Sequence, residues 1–199
     1  IETRKLSALI VSNGVMKSCY AGWIERLPVP VLAWGDKDYG WGSVFIDMKS
    51  GGFESAKALI SRGCKSIEFI SVQVHEWEPE YRSGIDAVNR AIRAGMANAM
   101  LPVGLHSPEC WLAKEMLPAE LRLSHDSRRR DEEVCETLCK ILFKRMRPDG
   151  LVVYTDVGAL GVVKALNERG LEMGKDLQVA VLGNREIEYP WPQALIRMD

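Results

Sequence analysis

Six side chains in this chain stand where they could hold a small polar ligand: Trp34, Asp36, Arg82, Thr155, Asp156 and Arg185. Carboxylates and hydroxyls bond to ligand hydroxyls, a guanidinium bonds to an anion or a hydroxyl, and an indole stacks on a sugar or a base. The pattern points to binding and not to catalysis. There is no GxSxG elbow, no phosphate loop, no GxGxxG after a strand and no HExxH pair in the sequence. His106 and Cys110 have a spacing that a metal could use, with His75 or His125 to complete it, but structural zinc sites bring four ligands close together in sequence. No metal site, cofactor or enzymatic activity is expected. Cys135 and Cys139 fall on one helix face, where cysteine acts as a small hydrophobe. Arg128 to Arg130 could contact phosphate, yet Asp131, Glu132 and Glu133 follow at once, which reads as a solvated helix start.

Two of these residues have a plainer role beside the binding one. Asp156 is placed to cap a helix, and its position at the end of a buried strand makes capping and ligand contact compatible. Arg82 lies in the first turn of a helix, where a cation opposes the helix dipole by ~0.3–1 kcal/mol. Either Glu78 and Glu80 offset it, or it points towards an anionic or hydroxyl-rich ligand. Trp34 and Asp36 follow the run Val29 to Ala33 and would face a cleft shared by two lobes; the indole could equally be packing.

The elements that must position these groups are strands alternating with helices. Leu151 to Tyr154 is a short β-branched run of the kind buried on both faces of a parallel sheet. Ala159, Leu160, Val162, Val163 and Leu166 then repeat at helical spacing up to Gly170, and Gln178 to Leu182 is a second apolar strand. In such strand–helix–strand units ligands sit outside the carboxyl ends of the strands, which puts Thr155, Asp156, Asn184 and Arg185 on the ligand edge. Leu6 to Val11, Val29 to Trp34, Val44 to Ile46, Ile67 to Val72 and Met100 to Leu105 read as further strands. Helices are predicted over Lys17 to Arg26, from a Ser50 cap to Gly63, from Pro79 to Gly95, and from Asp131 to Arg147 with acids in its first turn. The stretch from His106 to Arg130 is the least readable.

A chain of 199 residues, 47% apolar and with a formal charge of −1, can bury a sizeable core. Near-neutral charge argues against a nucleic-acid-binding surface on these residues. No run approaches the ~18 apolar residues that span a bilayer, and five scattered cysteines read as reduced thiols in a cytoplasmic protein without membrane attachment.

Two segments carry a family resemblance. The text RPDGLVVYTDVGALGVVKALNERGLEMGKDLQVAVLGN, together with VFIDMKSGGFESAKALISRGCKSIEFISV, resembles the effector-binding domain of the lactose-repressor/galactose-repressor (LacI/GalR) family of transcriptional regulators. Asp47, Gly51, Gly52, Ala56, Leu59, Ile60, Gly63, Ile67 and Ile70 fit that family's pattern, and Cys64 replaces its usual histidine. The resemblance implies an α/β, periplasmic-binding-protein-like fold: two Rossmann-like lobes of parallel sheet flanked by helices, around a ligand cleft. Residues 1–46 would be part of a first lobe that is incomplete in this chain, 47–64 a connecting helix and crossover, 65–186 the second lobe, and 187–199 the crossing back. An incomplete lobe leaves apolar sheet surface uncovered.

The resemblance also implies a homodimer that senses a small molecule and contacts operator DNA through a headpiece absent from this chain. The effector would be a sugar, a sugar phosphate or a nucleobase-like compound. Arg82 matches the arginine that contacts effector in the family. Two departures bear on the ligand: Thr155-Asp156 stands for the family's Asn-Asp, and Gly183, Asn184, Arg185, Glu186 for its Gly-Phe-Asp-Asp. A cation at Arg185 would favour an acidic or phosphorylated effector. The alternative that shares this fold is the solute-binding protein of a sugar transporter.

Overall fold

The computed structural model describes residues 7–12, 22–24, 26–35, 42–71, 79–106, 108, 110–111, 127–183, 191 and 195–198. They fall into two units, Ile1–Asp47 and Met48–Asp199. In the first, β1 (Leu9–Ser12), β2 (Val31–Gly35) and β3 (Ser43–Phe45) form a three-stranded parallel sheet in that order. The register sets Ile10 beside Leu32 and Trp34 beside Val44, so the period of two puts Ile10, Leu32 and Val44 on one face and Val11 and Ala33 on the other. Val11 and Ala33 are buried, whereas Ile10 is 69% and Val44 54% exposed. Parallel sheets are ordinarily covered on both faces, and among the described residues of this one Ile10, Leu32 and Val44 are exposed on the same face.

The second unit is a five-stranded, all-parallel sheet in the order β5-β4-β6-β7-β8, made of β4 (Ile67–Ile70), β5 (Cys110–Trp111), β6 (Gly150–Val153), β7 (Gln178–Leu182) and β8 (Ile196–Met198). The short runs of Val, Ile, Leu and Phe are buried along their whole length because helices cover both faces. Phe69, Val152, Ala180 and Leu182 pack towards α1 (Met48–Ser61) and α2 (Pro79–Met100). Ile70, Leu151, Val153, Val179 and Val181 pack towards α3 (Ser127–Arg145) and α4 (Asp156–Asn167).

Both helix pairs pack closely enough to require glycine. A Cβ at Gly52 would overlap the Ile92 backbone, one at Gly95 the Lys49 carbonyl, and one at Gly161 the Glu132 carbonyl. Gly95 is therefore a contact inside α2 and does not end it; the helix runs to Met100, the last residue of the stripe Ile92, Met96, Met100. The strand expected over Met100 to Leu105 is instead this helix end followed by a 3₁₀ turn, Leu101–Val103, closed by Gly104 at φ +79. Similarly α1 starts at Met48 and includes Ser50, which therefore does not cap it.

At the amino edge of the sheet, Asp149 accepts from the backbone N–H groups of Lys65 (2.9 Å) and Ser66 (2.8 Å), fixing the turn after α1. Gly63, predicted as the stop of that helix, has φ +89. The boundary between units falls at Asp47/Met48. Within the segment expected to cross back, residues 196–198 form β8, whose backbone groups pair with β7.

Candidate ligand edge of the second sheet

The strand order reverses direction at β4: β5 lies on one side of it and β6 on the other. At such a switch point the two following helices leave on opposite faces and open a crevice at the carboxyl ends of the strands, between β4 and β6. The residues there are Ser71, after β4, and Tyr154, Thr155 and Asp156, after β6. The ladder continues one step past the strands, with the Tyr154 N–H donating to the Ile70 carbonyl at 3.3 Å.

Thr155, at φ −136 and ψ 157, is the N-cap of α4, and its hydroxyl oxygen accepts from the Gly158 N–H at 3.1 Å. The cap had been expected at Asp156. The threonine takes it because the β-region backbone of the capping position falls on residue 155, and Asp156 is already helical. Asp156 instead accepts from the Val157 N–H at 2.9 Å, and both residues are buried, at 4% and 1% exposure. Two of the first N–H groups of α4 are thus occupied by protein oxygens, and a carboxylate sits at the positive end of the dipole. This arrangement disfavours an anion at the helix start.

The chain leaves β7 through Gly183 at φ +84, where a Cβ would meet the Tyr154 carbonyl oxygen at 3.2 Å. Arg185 follows two residues later and lies outside the described residues, as does Asp36. Trp34 is in β2, one residue before its carboxyl end, and Arg82 is in the first turn of α2, as the sequence predicts. Of the six predicted residues the structure brings Thr155 and Asp156 together at one edge.

Two groups at this edge, Ser71 and Asn89, were not singled out from the sequence, and a third, Arg130, was expected in a solvated helix start. Ser71 is fully buried, Asn89 on α2 is 3% exposed, and Arg130 at the start of α3 is 4% exposed. The Arg130 guanidinium pairs with the Asp131 carboxylate at 3.3 Å. The solvated helix start expected there is corrected: α3 begins at Ser127, its first turn holds no acid, and Arg130 and Asp131 are tucked inside. Asn89 carried a usable signal, being a polar residue three positions before Ile92 on an apolar stripe.

Cysteine positions agree with their expected packing role. Burial pushes the Cys135 thiol well above its ordinary value, and that of Cys139 to about 12. Burial, with Asp149 nearby, raises Cys64 to about 11. All three are buried free thiols. His75 and His125 lie outside the described residues, and among the described residues no group of three His, Cys, Asp or Glu could hold a metal ion. Among the same residues no helix is long and apolar enough to cross a membrane.

Residues 56–194 match the family model described as a periplasmic binding protein-like domain. The chain is 25% identical over 187 residues to catabolite control protein A of Priestia megaterium, covering 92% of this chain and 50% of that protein. It is 27% identical over 155 residues to the HTH-type transcriptional repressor PurR of Histophilus somni, covering 78% of this chain and 40% of the repressor. The chain thus spans about half the length or less of these relatives. Among solved structures, a PurR family transcriptional regulator from Vibrio parahaemolyticus superposes with a TM-score of 0.63 at 17% identity, over 88% of this chain and 59% of that one. A LacI family regulator from Enterococcus faecium, solved with bound ribose, gives 0.60 at 14% identity, over 88% and 58%. These superpositions carry the fold.

Proposed function

The chain belongs to the periplasmic binding protein-like domain family, and on that premise we propose that it is the effector-sensing domain of a LacI/GalR-type transcriptional regulator. The observation that carries the reading is the switch-point edge. Buried Thr155 and Asp156 open α4 between β4 and β6, in a chain whose curated relatives are transcriptional regulators. Those relatives favour a regulator over the solute-binding protein of a transporter. The domain acts by binding and not by catalysis, in the cytoplasm, as a homodimer. Asp156 takes a ligand hydroxyl. Arg82 and Arg185 supply cations to an acidic or phosphorylated part of the effector. Binding shifts the dimer between two arrangements, a coupling of about 1–3 kcal/mol, and the shift reaches operator DNA through a headpiece outside this chain.

A thermal-shift screen of this chain against sugars, sugar phosphates, purines and organic acids tests the sensor, since a ligand that binds only the folded state raises the midpoint by mass action. A rise with one compound class is expected; a folded chain that responds to none overturns the reading. Arg185→Asp is expected to lower affinity for an anionic compound by about ten-fold or more. Unchanged affinity would remove the anionic preference and leave the sensor.

A further inference from the structure

We propose that Ser71 and Asn89 form a second polar subsite at this edge, one that takes a neutral hydrogen-bonding group of the effector, a hydroxyl or a carboxamide. The proposal rests on the reading of the domain as a small-molecule sensor and assigns one part of that molecule.

The starting observation is chemical. The Ser71 hydroxyl and both polar atoms of the Asn89 carboxamide are buried and make no hydrogen bond. More than nine in ten buried polar groups in native proteins are bonded, and the exceptions concentrate where strain or function holds them. Asn89 makes the exception sharper. It occupies a position on α2 whose neighbours along the buried stripe are Ile92, Met96 and Met100, where a leucine would pack without leaving a polar group unmet.

Placement brings the two residues to one region. Along β4, Phe69 faces α1 and α2 while Ile70 faces α3 and α4, so alternation turns Ser71 towards α1 and α2. Ile70 is in register with Val153, so Ser71 comes level with Tyr154, beside Thr155 at the switch point. The height of Asn89 follows from the helix crossing. Ile92 and Gly95 lie against residues 49 to 53 of α1, and Gly51 in that segment lies against Leu182, the last residue of β7. That level is the carboxyl end of the sheet. Asn89 is one helical turn before Ile92, on the side from which α2 enters, and so lies at or just beyond the edge. Ser55 on α1 is also buried and unbonded, but it is further along the helix, away from the edge, and is not part of the subsite.

The ligand class follows from what surrounds the pair. A carboxamide and a hydroxyl together offer donors and acceptors without charge. Of the charged side chains described on the flanking helices, Lys49, Glu54, Lys57 and Arg90 are exposed, and Arg93 donates to the Pro108 carbonyl at 3.3 Å. Among the described side chains none sets a charge against the pair, so a neutral ligand group, which exchanges water for the waiting partners, fits it better than a charged one.

The test uses Asn89→Leu and Ser71→Ala in the whole chain, with D-ribose, D-ribose 5-phosphate and hypoxanthine as probes in thermal unfolding and calorimetric titration. Asn89→Leu is expected to raise the unfolding midpoint without probe and to weaken the bound probe about ten-fold. Ser71→Ala is expected to leave the midpoint near that of the parent chain and to weaken the same probe by several-fold. Unchanged affinity in either folded variant overturns the subsite while the sensor reading stands. So does a lowered probe-free midpoint in Asn89→Leu with affinity unchanged, which would make Asn89 a structural residue. Absence of any response in the parent chain overturns the sensor reading, and the subsite falls with it.

Discussion

The two faces of the five-stranded sheet solve the same packing problem and differ in what they do with polar groups. Each is covered by two helices that touch through a glycine, Gly52 and Gly95 on one side and Gly161 on the other. On the α3–α4 face most of the buried polar groups at the carboxyl edge are tied in: Thr155 caps α4, Asp156 holds a backbone N–H, and Arg130 pairs with Asp131 through Nη2, although its Nε makes no hydrogen bond. On the α1–α2 face, Ser55, Ser71 and Asn89 are buried with side-chain atoms unbonded. The α1–α2 face keeps more hydrogen-bonding capacity in reserve than the α3–α4 face.

The two glycine contacts are equivalent in kind. Gly95→Ala and Gly161→Ala each force a Cβ into a backbone carbonyl, so the helices must separate along their length. Each substitution is expected to cost about 3 kcal/mol, read as a collapse of the urea midpoint. Gly63→Ala is the control: nothing lies within 4 Å of the new Cβ, and only the φ of +89 is strained, so about 1 kcal/mol is expected. If Gly95→Ala behaves like the control, the α1–α2 face is looser than the α3–α4 face.

These glycines also show what the sequence could and could not reveal. The strands β4, β6 and β7 were legible because an apolar β-branched run of four or five residues buried on both faces has few other uses. The placement of Thr155 and Asp156 at the carboxyl end of a buried strand followed from the strand–helix–strand pattern alone, whereas the switch point needed the strand order. Gly95 was misread as a helix stop because glycine at a C-terminus and glycine at a helix crossing are identical in one dimension; only the neighbouring helix separates them. The start of α3 was misplaced for a related reason. Acids at 131–133 suit a first turn electrostatically, but burial of the Arg130–Asp131 pair outweighs the dipole term, and the helix begins at Ser127. Ser71 and Asn89 were illegible as a pair, since 18 positions separate them and their burial without partners is a property of three dimensions.

Cysteines mark both faces and give the next largest effect. Cys64 packs on the α1–α2 side, Cys135 and Cys139 on the α3–α4 side, and burial is the largest cause of the raised pKa at each. A thiol whose folded value lies above its unfolded value of 9.0 contributes its full stability below pH 9. That contribution is lost as pH rises towards about 11 for Cys64 and about 12 for Cys139, because the unfolded chain gives up a proton that the folded chain keeps. The urea midpoint is therefore expected to fall between pH 9 and 10, before lysines titrate. Cys64→Ala and Cys139→Ala should each flatten that slope. A slope unchanged in the Cys139→Ala variant would show that the α3–α4 face admits water.

At the carboxyl edge the two faces differ in one hydroxyl. Thr155→Ala removes the cap of α4 and is expected to cost about 1 kcal/mol, seen as a lower unfolding midpoint. Ser71→Ala, at the same level on β4, removes a hydroxyl that bonds to nothing and should cost far less. Equal losses would mean that the Ser71 hydroxyl serves the fold as the Thr155 hydroxyl does.

The smallest effect is expected on the outer surface of α3 and α4. Lys164 pairs with Glu132 across the two helices, the hydrogen bond to that glutamate being the largest cause of its raised pKa, and Lys140 bridges Glu136 and Glu168. The Lys164 side chain is more than half exposed, so water competes for the charge and the ordered side chain loses rotamer freedom. Lys164→Ala is expected to change stability by less than about 0.5 kcal/mol at moderate salt, measured by urea unfolding. The glycine contact at Gly161 and the Lys164 bridge join the same two helices three residues apart, so the pair of variants compares packing with charge at one interface. If Lys164→Ala came near the cost of Gly161→Ala, the α3–α4 face would be held by its ion pairs, and the likeness between the two faces would end at the glycine.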